Sequence, residues 1–323
     1  MRYIIFIIAV FIATSCSTSN ESIAFKHLKP DLLINVFSDS SFFSDIECLS
    51  SYKDQILAAD FKRDQIFILD TNMKLINTIG NDGDSVNNLY LIRHFAISND
   101  SILVKDGGNN RFQLFSMAGK CLGSIPISEN FPRYSQRFLF QNGLMTSYAN
   151  DSHALVTINI NDVKQTIFFG ERYEFNDHQQ NEIRNQRAVF SYEGCKFCVS
   201  DNLPFIEKYD NNNNLLEKYD YSNISIIREE LQYRLKNKIK SNAYDVLAYD
   251  TYLNENKIYI LCALKQRNVF TVNTVIEFDV FPNVNPSRIF ILPQNSIYKS
   301  ICVYKDKIYA FSHLDNTLQR FEI

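Results

Sequence analysis

Short apolar runs of five or six residues, separated by turns rich in Asp, Asn and Gly, recur along most of the chain. Three of them, Ile56-Leu-Ala-Ala-Asp60, Gln65-Ile-Phe-Ile-Leu69 and Lys74-Leu-Ile-Asn-Thr-Ile79, return as Ile102-Leu-Val-Lys-Asp106, Arg111-Phe-Gln-Leu-Phe115 and Lys120-Cys-Leu-Gly-Ser-Ile125. Each member of the second set lies 46 positions after its counterpart, as Ile102 does after Ile56. Runs this short, carrying β-branched and aromatic residues and broken by turn residues at each end, read as strands and exclude helical solenoids. A repeat of this length made of short strands is what propeller blades produce, because each four-stranded sheet buries its faces against its neighbours.

Weaker copies continue the series. Gly143–Tyr148, Ala154–Ile158 and Gln165–Phe169 make a third, and Phe197–Asp201, Phe205–Tyr209 and Leu215–Tyr219 a fourth. Lys257–Leu261, Val275–Phe278 and Ser287–Ile291 make a fifth, and Lys307–Phe311 with Leu318–Phe321 a sixth that stops one strand short. An unclaimed strand, Leu32–Phe37, precedes the first copy. If it supplies the outer strand of the last blade, the ring closes and no sheet edge is left incomplete. The expected fold is therefore all-β, a six-bladed β-propeller latched by an N-terminal strand. Two segments break the rhythm. Ile224–Lys240 reads as an inserted helix, with Ile227, Leu231, Leu235 and Ile239 on one stripe and Arg228, Glu229, Glu230, Arg234, Lys236 and Lys238 solvated around it. Tyr173–Arg187 is polar and reads as a loop or short helix. Such insertions either shape a pocket on one face of a ring or cover an apolar patch.

The N-terminus changes the picture of where this ring works. Arg2 precedes an apolar run from Tyr3 to Ile12, too short to span a bilayer, and the run ends in Ala13-Thr14-Ser15-Cys16. Small residues before a cysteine resemble a bacterial lipobox, although Ala13 stands where Leu is commonest. Residues 1–15 are thus expected to be a lipoprotein signal, Cys16 the lipidated residue, 16–28 a flexible tether and 29–323 the propeller. The turn at Asp106–Ser124, with Gly-Asn-Asn-Arg and Gly-Lys between strands, is similar to NHL-type repeats. With the signal it makes the chain resemble the six-bladed β-propeller lipoproteins of Bacteroidetes. That resemblance implies a location in the cell envelope, anchored by lipid, at the outer membrane, and implies little about chemistry.

Composition narrows the function classes. A 46% hydrophobic fraction with 26 Phe and 18 Tyr is ample for a β-rich core. The net charge is -3; without residues 1–15, whose only charge is Arg2, 32 basic residues face 36 acidic ones, or -4. No polybasic field for nucleic acid exists. Trp is absent, so glycan or protein recognition through indole faces is discounted, with Tyr as the substitute.

Six cysteines besides Cys16 remain: Cys48, Cys121, Cys195, Cys198, Cys262 and Cys302. An oxidising compartment permits disulfides, and spacing does not give their connectivity. Cys195-Lys-Phe-Cys198 lacks a second ligand pair for zinc and sits in a strand-like run, where positions three apart face opposite sides, so buried thiols are expected. Asp60, Asp106 and Asp201 end second strands beside turn residues and are read as turn formers rather than metal ligands. The five histidines show no metal-binding spacing, and no nucleophile elbow or phosphate loop is present, so neither metal nor cofactor is expected.

In a propeller, residues just before each blade's innermost strand crowd the channel mouth. Arg93 and His94, Arg133 and Arg137, Arg187, and Tyr298 with Lys299 occupy such positions. Together they could hold an anion or a carboxylate side chain, although basic residues at strand ends more commonly pair with neighbouring carboxylates. The leading expectation is a monomeric, non-catalytic binding or scaffolding module for an envelope protein, peptide or glycan. The alternative is a hydrolase or lyase with its site at the channel mouth, and a third is a sensor of small anions.

Overall fold

The computed structural model describes residues 23–37, 40–127, 137–149, 152–175, 178–237, 246–266, 269–294 and 296–323. The chain begins with two strands, β1 (Ala24–His27) and β2 (Pro30–Ile34), that belong to blades formed much later. Blade one is β3 (Ile46–Tyr52), β4 (Gln55–Asp60), β5 (Gln65–Asp70) and β6 (Leu75–Ile79). Blade two is β7 (Ile92–Ser98), β8 (Ser101–Asp106), β9 (Arg111–Ser116) and β10 (Cys121–Pro126). Blade three is β11 (Leu139–Gln141), β12 (Leu144–Tyr148), β13 (Leu155–Asn159) and β14 (Asp162–Phe169). A short helix, α1 (His178–Ile183), leads to blade four: β15 (Arg187–Tyr192), β16 (Cys195–Ser200), β17 (Phe205–Tyr209) and β18 (Leu215–Asp220). Helix α2 (Ser225–Lys236) precedes blade five: β19 (Ala248–Asn254), β20 (Lys257–Gln266), β21 (Val269–Asp279) and β22 (Asn285–Ile291). Blade six has β23 (Tyr298–Tyr304), β24 (Lys307–Ser312) and β25 (Thr317–Glu322).

The ring closes as the strand count predicts. Strand β2 runs antiparallel to β25, with Leu32 opposite Arg320 and Ile34 opposite Leu318, and completes blade six. Arg320 grips Asp31 with Nε at 2.9 Å and Nη2 at 2.5 Å. One boundary differs from the sequence reading. Ala24–His27, assigned above to the tether, pairs in parallel with β22 and gives blade five a fifth strand. All four of its residues are exposed, so it has none of the apolar alternation that identifies a strand in sequence.

Within each blade the first and second strands are joined by a two-residue turn that holds at least one residue in left-handed conformation, a geometry that matches strand twist. Lys53, Asn99 with Asp100, Asn142 with Gly143, Glu193 with Gly194, Glu255 and Lys305 occupy these turns. They mark one face of the ring, the hairpin face. Both helices lie in connections between blades, on the opposite face.

The seams between blades hold the core. One continuous cluster joins blades five, six and one, and others fill the seams from one to two, two to three and four to five. The seam between blades three and four is filled by a smaller group, Ala154, Leu155, Phe169, Val189, Cys198 and Tyr209. Helix α2 caps the seam from four to five through Ile227. Its expected stripe is only half realised: Leu231 is partly buried, Leu235 is 80% exposed, and Ile239 lies outside the described residues. Glu230 and Arg234, expected in solvent, instead form a buried pair at 2.7 Å, and Glu230 also accepts the Lys265 amide at 2.6 Å. The polar pair ties the helix to blade five through the Lys265 amide and the Val246 carbonyl.

Candidate functional site at the channel mouth and the blade three–four seam

In four of the six innermost strands the ladder slips soon after it starts, between Ile46 and Cys48, Ile92 and Phe95, Ala248 and Asp250, and Tyr298 and Ser300. A bulge leaves residues out of register and re-aims their side chains. The residues displaced are Glu47, Arg93 with His94, Tyr249 and Lys299. Three of the charged ones meet at the mouth of the channel. Lys299 Nζ donates to Asp45 Oδ1 at 2.6 Å and Glu47 Oε1 at 2.8 Å, and Arg93 Nη1 lies 3.4 Å from Glu47 Oε2 with its guanidinium over the Phe61 ring. Burial alone would lower the Lys299 ammonium, and the hydrogen bonds to Asp45 and Glu47 raise it instead. Burial pushes the neighbouring Tyr249 phenol up, against the pull of Lys299. His313 Nδ1 stands 3.6 Å from Asp45 Oδ1.

Deeper in the channel one side chain spans the ring. Arg137, from the connection before β11, donates Nε and Nη2 to the two oxygens of Asp250 at 2.7 and 2.8 Å, Nη1 to the Leu49 carbonyl and Nη2 to the Ile301 carbonyl, both at 2.9 Å. Its own carbonyl accepts the Val189 amide. Asp250 accepts the amides of Thr251 and Ile301 at 2.8 Å. Blades one, five and six thus share one guanidinium, and blade four holds the same residue through its main chain. Below it, toward the hairpin face, a cavity of about 230 Å³ is walled by Tyr52, Phe95, Phe138, Phe140, Phe190 and Tyr252.

The remaining expected site residues fall elsewhere. Arg187 is fully buried inside blade four, with Nε on Glu207 at 3.0 Å and its other nitrogens on the carbonyls of Asn185 and Glu171. Tyr298 is buried and donates to Gln319 at 2.9 Å. His94 is buried in the bulge of β7. Arg133 and Cys16 lie outside the described residues. Among the described residues the cations do not converge as one anion site: Arg93 and Lys299 meet, Arg137 crosses the axis, and Arg187 turns away. Asp60 does what a turn former does, accepting the Lys62 and Arg63 amides, and it also ties down Asp45 by its amide. Asp45, Glu47, Glu207 and Asp250 are not among the candidates that strand counting gives. Asp250 had a signal, an acid placed within the apolar run Ala248–Leu253.

A second opening lies on the hairpin face between blades three and four. Across blade three, Leu139, Thr146, Thr157 and Ile167 stand in one row, each opposite the next. In the row nearer the opposite face, Leu155 and Phe169 pack on Tyr209 and Val189 of blade four. Where threonines replace such residues the blades part. The result is a groove of about 680 Å³. Its floor is the buried Thr146–Thr157 hydroxyl pair at 2.8 Å, and Gln141, Asn142, Asn211 and Asn213 stand along its rim.

No family model and no curated protein matches the sequence. Solved structures match in shape. A member of the DUF4221 family from Bacteroides vulgatus superposes with a TM-score of 0.59 at 11% identity, over 91% of this chain and 97% of that one. A Bacteroides fragilis protein predicted to be exported gives 0.55 at 12%, over 89% and 87%. An inactive virginiamycin B lyase from Staphylococcus aureus, solved with quinupristin, gives 0.54 at 9%, over 92% and 99%. The likeness is one of fold.

Proposed function

We propose that this protein is a lipid-anchored envelope propeller, of the Bacteroidetes lipoprotein type with NHL-like repeats, whose ring is a non-catalytic binding module. The observation that carries the reading is the mutual commitment of the ionisable groups at the channel mouth. Lys299, Asp45, Glu47 and Arg93 neutralise one another, and Arg137 with Asp250 fills the channel beneath them. Groups held this way stiffen a scaffold, and a proton carrier in their midst would have to break a paired, largely desolvated network. The address is supported by the lipobox-like Ala13–Cys16 and by the fold shared with a protein predicted to be exported.

Two measurements test it. Intact-mass spectrometry should find a diacylglyceryl group on Cys16, and Cys16→Ser should move the protein from the membrane to the soluble fraction; an unmodified Cys16 overturns the anchor. Binding should survive Lys299→Met and Glu47→Gln, because these groups brace the ring and do no chemistry. Turnover of a bound molecule that either change abolishes overturns the non-catalytic reading.

A further inference from the structure

From the lining of the groove between blades three and four, we infer that it is a binding site for a short, neutral oligosaccharide. The inference rests on the binding-module reading and names its ligand class. Its volume of about 680 Å³ lies within the range of roughly 300–1,000 Å³ typical of small-ligand sites. Its surface is almost free of charge: Glu193 and Lys196 offset each other, and Lys196 Nζ is already held by Asn213 Oδ1 at 2.9 Å. An ion of either sign entering it would meet one charge of each sign, so the net field favours neither.

The polar groups are amides and hydroxyls with capacity to spare. Asn142 and Asn211 have no side-chain partner among the described residues, and Gln141 uses only its oxygen, accepting from Ser191 Oγ at 3.4 Å. An amide offers two donors and an acceptor on a planar frame. That set matches adjacent sugar hydroxyls, each of which both donates and accepts. Beside them Leu144 and Ile167, 44% and 56% exposed, form an apolar strip, with Tyr192 on the facing wall. Sugar rings carry apolar C–H faces between their hydroxyls, so the alternation of amide rim and aliphatic strip suits them. An extended peptide would bind such a place by adding a strand to a free edge. The blade-three wall of the groove is instead a sheet face, with Thr146 and Thr157 on central, doubly paired strands.

The test is titration of the mature protein with malto-, cello-, xylo- and laminarihexaose, alongside a uronic-acid hexamer and an uncharged hexapeptide. At least one neutral hexasaccharide should bind saturably. The triple variant Gln141→Ala, Asn142→Gly, Asn211→Ala should weaken it about tenfold or more, with an unchanged melting temperature. Glycine keeps the left-handed turn at residue 142, where φ is 52°. Asn77→Ala, on another seam, should leave affinity unchanged. The site assignment is overturned if no neutral hexasaccharide binds, if the triple variant binds as well as the parent, or if the uronic acid or the peptide binds more tightly through the same residues. A protein partner captured through the other face, with no sugar binding, would remove this assignment and leave the binding-module reading standing.

Discussion

Arg137 and Asp250, 113 residues apart in the chain, meet across the axis of the ring in a two-point ion pair with contacts of 2.7 and 2.8 Å. Both side chains are nearly inaccessible, 7% and 5% exposed. Two charges taken out of water are tolerable only if paired and fully hydrogen-bonded, and each here has further partners in the backbone of other blades.

Asp250→Ala should therefore cost about 3–5 kcal/mol of unfolding free energy, since it strands a buried guanidinium. Arg137→Lys should also destabilise, because an ammonium cannot reproduce the fork. Arg137→Met with Asp250→Leu should recover only part of the loss, because the Leu49 and Ile301 carbonyls would still lack their donor. Urea unfolding of these proteins, with Arg137→Met and Asp250→Leu alone to close the cycle, gives these values, and additive losses would show that the pair is not coupled.

Acid sensitivity should be traceable to Glu277 in blade five. Burial would raise its carboxyl, but Arg288 at 2.8 and 2.6 Å, Ser287 at 2.6 Å and Lys257 at 3.1 Å hold it down to about 2, against an ordinary 4.5. A carboxyl depressed by folding contributes stability that is complete above 4.5 and disappears as the pH falls toward 2. Burial shifts Asp60, Asp201 and Glu207 upward, so their cost is relieved on acidification and opposes this loss. Melting temperature measured against pH should fall less steeply in that window for Glu277→Gln than for the parent. Parallel curves would contradict the assignment.

The thiols should behave as core residues. The six cysteines among the described residues are unpaired, and Cys48, Cys198, Cys262 and Cys302 are buried. Burial pushes the Cys48 thiol up to about 11 and raises the other three as well. A buried, protonated thiol is a poor nucleophile. Iodoacetamide should label Cys121 and Cys195 in the native protein and the other four only after unfolding, as read by peptide mass spectrometry. Native labelling of Cys198 would contradict the packing of β16.

Removing the two N-terminal strands should have unequal effects. Deleting residues 1–27 removes β1, whose residues are exposed, spares the buried Leu28, and should lower stability by about 1–2 kcal/mol. Deleting residues 1–37 also removes β2 and bares β25, whose Leu318 and Phe321 are buried. An unpaired strand edge of that kind recruits other chains. The longer deletion should appear as oligomers or aggregate by size-exclusion chromatography with light scattering, and the shorter as a monomer.

How far the structure can be read from sequence depends on where its regularity breaks. Strands β4, β5, β8 and β9 pair without slippage and the second pair follows the first at one spacing, so the blade pattern is legible there and the later blades follow by counting strands. The innermost strands carry bulges, which displace Glu47, Tyr249 and Lys299 from alternation and blur the pattern just where the channel mouth forms. Arg93 and Lys299 can be placed there by counting strands. Their partners cannot: Lys299 binds an acid 254 positions away, and no local signal marks such a pair. The groove between blades three and four is subtler still. It lies over Thr146 and Thr157, where blade one has Leu57 and Ile68 and blade two has Leu103 and Leu114, and threonine in a strand looks ordinary until its neighbour across the seam is known.

The pairing of Leu33 with Gln319 and of Ile34 with Leu318 makes the second strand of the chain wait for the last. A growing polypeptide can stack blades one to five as they emerge, yet none of those partial rings has both ends of its arc secured. Bringing the ends together costs loop-closure entropy that only the finished chain recovers. The molecule is therefore complete or open, with little in between, and synthesis that stalls before Thr317 leaves an arc whose Leu32–Ile34 segment has nothing to join.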